Sequence, residues 1–136
     1  MITARYHREI PHRYRLEAVE CPKCKRAYMP ERRICPVCKG TELKPTTLGN
    51  EGTLKTFTIV HVGADTFSHE TPYAVGIVEL EKGVKLTMQV DRAPEAELAV
   101  GQKVQVVFRR IRTDGRSGII CYGYKAVPVG TASSQR

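Results

Sequence analysis

Four cysteines carry the chemistry that this sequence could do. In CPKCKRAYMPERRICPVCKG, residues 21–40, Cys21 and Cys24 form one Cys-Pro-x-Cys pair and Cys35 and Cys38 a second, ten residues further on. A C-x-x-C turn points two sulfurs inward from one tight knuckle. Two knuckles at hairpin distance supply the tetrahedral thiolate set that Zn²⁺ favours. Such a set is closed, with no position left for a substrate or an activated water, so the expected metal is a structural Zn²⁺ held by Cys21, Cys24, Cys35 and Cys38. The alternatives are a redox dithiol, a ribbon that has lost its metal, and iron in a rubredoxin-like site. A redox C-x-x-C normally stands alone beside a βαβ pattern, which this chain lacks. Iron would accept the same ligands. Ligand type and spacing favour zinc. One detail is unusual: Lys25 follows the second cysteine of the first knuckle where many knuckles carry glycine, so that turn is expected to be strained. In the second knuckle Gly40 stands one position later.

A ribbon this small needs its metal, because a segment of about 40 residues rarely buries enough core to fold alone. The whole chain has 136 residues, with room for one compact unit or two very small ones. Its start, MITARYHREI, has no apolar signal-like stretch, and no run approaches the roughly 18 apolar residues of a membrane span. A cytoplasmic protein with reduced thiols is expected, which again favours metal over disulfides. The net charge of +8 is uneven: residues 1–45 hold eleven Lys/Arg against five Asp/Glu, and residues 46–136 hold eleven against nine. Four thiolates around one Zn²⁺ would trim the basic surplus of the first part to about +4. A basic surface attracts phosphates, whether on nucleic acid, lipid or a nucleotide-bearing cofactor.

The elements around the cysteines read as follows. Before them, TARYHREIPHRYRL (3–16) places Tyr6, Ile10, Tyr14 and Leu16 at near-helical intervals, with Pro11 expected at a break or at the first turn of a second helix. That helix is too short and thinly apolar to stand unattached. After them, KPTTLGNEGTL is a polar connector, and then the pattern turns to strands. TLKTFTIVHV (53–62), PYAVGIVEL (72–80), VKLTMQV (84–90), KVQVVFRRIR (103–112) and SGIICYGYKAV (117–127) are β-rich. EKG (81–83) and TDGR (113–116) are hairpin turns. Val84, Leu86, Met88 and Val90 share one face. APEAEL (93–98) reads as a short helix-like insert.

The expected fold is mainly β: a helical segment (1–18), a rubredoxin-like zinc ribbon (19–45), a five-stranded OB-fold barrel (46–129) and a frayed tail (130–136).

Outside the cysteine cluster the residues favour plain roles. Cys121, flanked by Ile119, Ile120 and Tyr122, reads as a small buried hydrophobe. His61 reads as a partly buried strand residue and His69 as a loop residue. RRIR (109–112) puts arginines on both faces of an edge strand, as a solvated surface would. Tyr122 and Tyr124 could stack bases or an adenine ring but more often cover the end of a barrel core. There is no paired-carboxylate context, Gly-rich phosphate loop or Ser-His-Asp arrangement, so catalysis by this chain is not expected.

Taken in order, HREIPHRYRLEAVECPKC, YMPERRICPVC, LGNEGTLKTFTIVH, TPYAVGIVELEKGVKLTMQV and VGQKVQVVFRRIRTDGRSGIICYGYKAVP resemble the acyl-CoA-associated zinc-ribbon/OB-fold family across about residues 5–129. The resemblance implies a small non-catalytic partner of thiolase-superfamily enzymes. For the archaeal type it implies a scaffold that bridges acetoacetyl-CoA thiolase and 3-hydroxy-3-methylglutaryl-CoA (HMG-CoA) synthase at mevalonate pathway entry and shares in a CoA or acyl-CoA site. By position, Pro72, Tyr73 and Val75, with the preceding GADTFSHE loop, are the candidates for lining that site, while the helix and ribbon would dock on an enzyme. A nucleic-acid-binding module is the alternative. Against it, few aromatics interleave with Lys/Arg as a single-strand platform requires.

Overall fold

The alternation of apolar residues after position 50 closes into a barrel. In the computed structural model, which describes residues 3–91 and 98–129, strands β4 (Glu51–Val60), β5 (Tyr73–Glu79), β6 (Lys85–Val90), β7 (Lys103–Thr113) and β8 (Ile120–Pro128) follow the closed order β4-β5-β6-β8-β7. All pairings are antiparallel except β6 with β8, which meet in parallel at Val90 and Ala126. Five strands in this order, with one parallel closure, form the OB-fold expected from the sequence. The inward row of β6 is the predicted one: Val84, just before the strand, then Leu86, Met88 and Val90 are all buried. Leu54 and Val78 have no exposed surface and pack with them.

Glycines mark the tight places. Gly76 on β5 lies so close to β4 that an added Cβ would sit 2.6 Å from Leu54 Cδ1 and 2.9 Å from the Thr56 carbonyl oxygen. The turn between β5 and β6 spans Glu81–Gly83, with φ of 57° at Lys82 and 73° at Gly83. Most of the insert at 93–98 and the tail at 130–136 lie outside the described residues; Leu98, at the insert's end, is buried in the core.

Upstream, α1 (Thr3–Arg15) leads into a three-stranded ribbon sheet of order β2-β1-β3, where β1 is Glu17–Glu20, β2 Ala27–Tyr28 and β3 Lys44–Thr47. Pro11 neither breaks α1 nor starts a second helix; it lies inside one continuous helix. A proline here loses the hydrogen bond to the carbonyl of His7. Both residues are on the exposed face, where water can serve that carbonyl. The helix ends at Leu16, which has φ 49° and points into the core. Its carbonyl accepts the backbone N–H of Leu48.

Leu16, Ala18 and Leu48 belong to the same buried cluster as the barrel residues, and Ala27 and Met29 pack against it. A second tie runs along the surface, where the Lys82 ammonium pairs with Glu20 on β1 and donates to Thr46 Oγ1 on β3 at 3.0 Å. No helix among the described residues is long and apolar enough to cross a membrane.

Candidate metal centre and the cleft beside the helix

The two knuckles fold by the same hydrogen bonds. In the first, Lys25 N–H donates to the Cys21 carbonyl and Cys21 N–H to the Arg26 carbonyl, each at 2.9 Å. In the second, Lys39 N–H donates to Cys35 at 3.0 Å and Cys35 N–H to Gly40 at 2.9 Å. Each turn needs a left-handed residue directly after its second cysteine, and both use lysine: φ is 55° at Lys25 and 59° at Lys39. The strain expected only in the first knuckle is therefore present in both. Gly40 stands one place too late to relieve it.

The turns bring the sulfurs of Cys21, Cys24, Cys35 and Cys38 within 4.8 Å of one another, with Cys21 and Cys38 3.5 Å apart. Zn–S bonds of about 2.3 Å in a tetrahedron require S···S separations of roughly 3.8 Å, so the donor set fits the ion with little movement. Cys21 and Cys35 are buried, and the other two lie nearer the surface. The Tyr28 hydroxyl, 3.5 Å from the Cys35 sulfur, is the main influence that draws that thiol's pKa down to about 6, with backbone N–H groups of the second knuckle helping. The same contact pushes the Tyr28 pKa up to about 12. Hydrogen bonding to Cys38 and burial push Cys24 up to about 12, so without a metal Cys24 resists losing its proton. A divalent cation would remove that resistance, since its charge favours all four thiolates.

A second feature lies where α1 crosses the barrel. Arg13 Nη1 donates to the Tyr122 carbonyl on β8 at 3.2 Å, and its guanidinium covers the Tyr6 ring at 4.6 Å. Beneath them a cleft of about 390 Å³ runs across β5 and β6, lined among others by Tyr6, Arg13, Phe67, Tyr73, Val75 and Tyr124. Phe67 comes from the Asp65–Glu70 turn of the GADTFSHE loop and stands 6.0 Å from Tyr73, centroid to centroid. Lys125 on β8 lies 4.0 Å from Glu70 and helps hold that turn down. Of the three residues singled out on β5, Tyr73 and Val75 line the cleft, whereas Pro72 is exposed just ahead of the strand and does not. Burial raises the Tyr124 hydroxyl's pKa, so this ring enters the cleft as a neutral group.

The remaining candidates are scattered. Cys121 is fully buried, as read. His61 is exposed, because the β4–β5 ladder ends at Val60 and Tyr73 and the chain leaves the sheet there; His69 is exposed in the loop. Tyr122 stacks on Phe108 at 5.4 Å, and Phe108 in turn meets the edge of Tyr14. Arg109 and Arg110 are exposed on β7 beyond its contact with β4, and the register shift before Arg112 breaks the alternation. His12, Glu17 and Glu31 converge near the helix end, where Glu17 is taken up by His12 and by Arg15 at 2.6 Å. Tyr6, Arg13 and Gln89 were not found from sequence as cleft residues; the helix carrying the first two was expected, but for docking on an enzyme rather than for covering this cleft.

Comparison with known proteins agrees with this geometry. Residues 8–44 match the rubredoxin-like zinc ribbon domain of ChsH2, and residues 46–109 match the ChsH2 C-terminal OB-fold domain. A DUF35 domain-containing scaffold protein of Methanocaldococcus jannaschii is 39% identical over 94% of this chain and 92% of its own. The chain belongs to the DUF35 zinc-ribbon/OB-fold family. Another DUF35 relative, from Methanothermobacter thermautotrophicus, is 35% identical over 93% of this chain and 96% of its own. More distantly, the benzoylsuccinyl-CoA thiolase subunit BbsA of Thauera aromatica is 27% identical over 81% of this chain and 74% of its own. The fold matches a chain of the Ltp2-ChsH2 (DUF35) aldolase with TM-score 0.71 at 20% identity, covering 93% of each.

Proposed function

We propose that this DUF35 chain is a non-catalytic scaffold subunit of a thiolase-type assembly, that it bridges acetoacetyl-CoA thiolase and HMG-CoA synthase, and that its cleft contributes to a CoA or acyl-CoA site. The observation that carries the reading is near end-to-end similarity to DUF35 scaffold proteins, with a CoA-thiolase subunit among the more distant relatives. The chemistry of the ribbon and the cleft supports it. Zn²⁺, held by Cys21, Cys24, Cys35 and Cys38, would brace the ribbon without taking part in a reaction, since four thiolates leave it no open position. The cleft beneath α1 offers Tyr73, Val75 and Phe67 as apolar walls for a slender chain. The arginine-rich helix above it offers charge for phosphates.

The test is a nuclease-treated pull-down of the tagged chain from its host at moderate salt, with bound proteins identified by mass spectrometry. Thiolase and synthase in comparable amounts are expected. Recovery of thiolase alone would remove the bridging role. Recovery of ribosomal or transcription proteins that are lost on nuclease treatment would replace the scaffold reading with the nucleic-acid one.

A further inference from the structure

The outer face of β6 holds a polar group that the protein leaves unanswered. Gln89 pairs directly with Val75 across the β5–β6 ladder, so the two side chains lie side by side, and both line the cleft under α1. The Gln89 side-chain oxygen, Oε1, is shielded from solvent and accepts no hydrogen bond from the described residues. A shielded amide oxygen without a donor is costly, and such atoms are rare in folded proteins. Nothing in the packing of β6 demands glutamine here. The strand's core row is Leu86, Met88 and Val90, and an apolar side chain at 89 would sit equally well beside Val75. The rest of the cleft wall is mostly aromatic or aliphatic, with Tyr73, Phe67 and Tyr124, joined by Arg13 of α1 and by Thr87, two residues before Gln89 on β6. A mostly apolar cleft with a few placed polar groups is the arrangement that fixes the register of a ligand carrying well-placed donors, and Gln89 Oε1 is the group here without a partner among the described residues. The residue as a whole is only half-buried, so a side-chain rotation can turn the oxygen toward the channel.

We propose that Gln89 is a ligand-recognition residue whose side-chain oxygen accepts a hydrogen bond from an amide N–H of a slender, amide-bearing aliphatic arm lying in the cleft. The inference rests on the CoA reading above, under which that arm is pantetheine, and it assigns the residue that sets the arm's register. A purely structural glutamine would behave differently. Its removal would cost stability, whereas removing an acceptor kept for a ligand costs affinity and leaves stability unchanged or raised.

The experiment uses the zinc-loaded full chain and pantetheine as the probe, with binding followed by NMR shifts at Tyr73, Val75 and the Gln89 side-chain amide. Two further probes replace one or the other amide N–H of pantetheine by an ester oxygen. Gln89→Met is expected to keep or raise Tm while raising Kd roughly 3- to 10-fold. One of the two ester probes should bind the wild type more weakly by a similar factor, yet bind Gln89→Met no worse than pantetheine does. Gln89→Glu, which keeps acceptor oxygens and loses the donor, should retain the preference for the amide probe. Equal Kd in wild type and Gln89→Met, or the same ester penalty in both, overturns the assignment while leaving the cleft as a CoA site. Absence of any pantetheine shift in the cleft overturns the assignment and the CoA part of the reading together. The scaffold part is judged separately by the pull-down.

Discussion

Replacing Lys25 or Lys39 with glycine should strengthen the metal site, although neither residue touches the metal. Both adopt left-handed backbone angles, φ 55° and 59°, directly after the second cysteine of their knuckles. A residue with a Cβ pays about 1–2 kcal/mol in that conformation. Glycine does not, but it gives back about 0.5–1 kcal/mol through its greater freedom in the unfolded chain. The net gain is about 0.5–1 kcal/mol per site. The lysine charge also favours thiolates nearby, so the informative comparison is alanine against glycine, which differ only in the Cβ. At each position the glycine variant should bind Zn²⁺ roughly 2- to 5-fold more tightly than the alanine variant in competition with a chromophoric chelator. It should also melt about 2–5 °C higher. The two gains should add, because the knuckles are separate turns. If glycine equals or falls below alanine at both positions, the turns are not strained in the way their angles require.

Cys35→Ser, or chelation of the wild type, should unfold more than the ribbon. Leu16, Ala18 and Leu48 share the barrel's core, so a single cooperative melt should move to much lower temperature, and an unchanged barrel transition by near-UV circular dichroism would contradict this. Gly76→Ala should destabilise the chain by about 1–3 kcal/mol in urea, because the new Cβ meets the Leu54 side chain and the Thr56 carbonyl; a neutral result would mean that β4 and β5 can spread. The Glu20 carboxyl is held below the usual range chiefly by its hydrogen bond from Lys82, so its contribution is present above about pH 4.5 and is lost as pH falls through the lowered value. Glu20→Gln should therefore show a shallower loss of stability between pH 5 and 3, and identical acid profiles would count against the tie.

The parts of this structure that were legible in the sequence are those set by local rules. The cysteine spacing determines the knuckles, and period-two alternation around Leu86, Met88 and Val90 determines the inward face of β6. What was hidden depends on contacts between distant segments. Pro11 looked like a break because its cost is local, whereas the continuity of α1 comes from docking on β8. Tyr6 and Arg13 become cleft residues only when that docking sets them over Tyr73, more than fifty positions away. Gln89 gave no signal at all, since an outward-facing polar residue on a strand is ordinary until its neighbours close over it. The second strained knuckle was missed because Gly40 stood one position from where a glycine was needed, and spacing alone did not show which residue would take the left-handed angle.

The shared core limits how this chain can be rebuilt. Leu16 ends the helix, Ala18 lies on the first ribbon strand and Leu48 follows the third, yet all three are packed among barrel residues. A ribbon transplanted from a relative along its cysteine-bearing segment alone would bring the ligands and leave the mortise empty. Exchanges between homologues should therefore work only when residues 3–48 travel as one block, or when the facing barrel positions are recut to match. In this chain the joint and the two parts that it joins are inherited together.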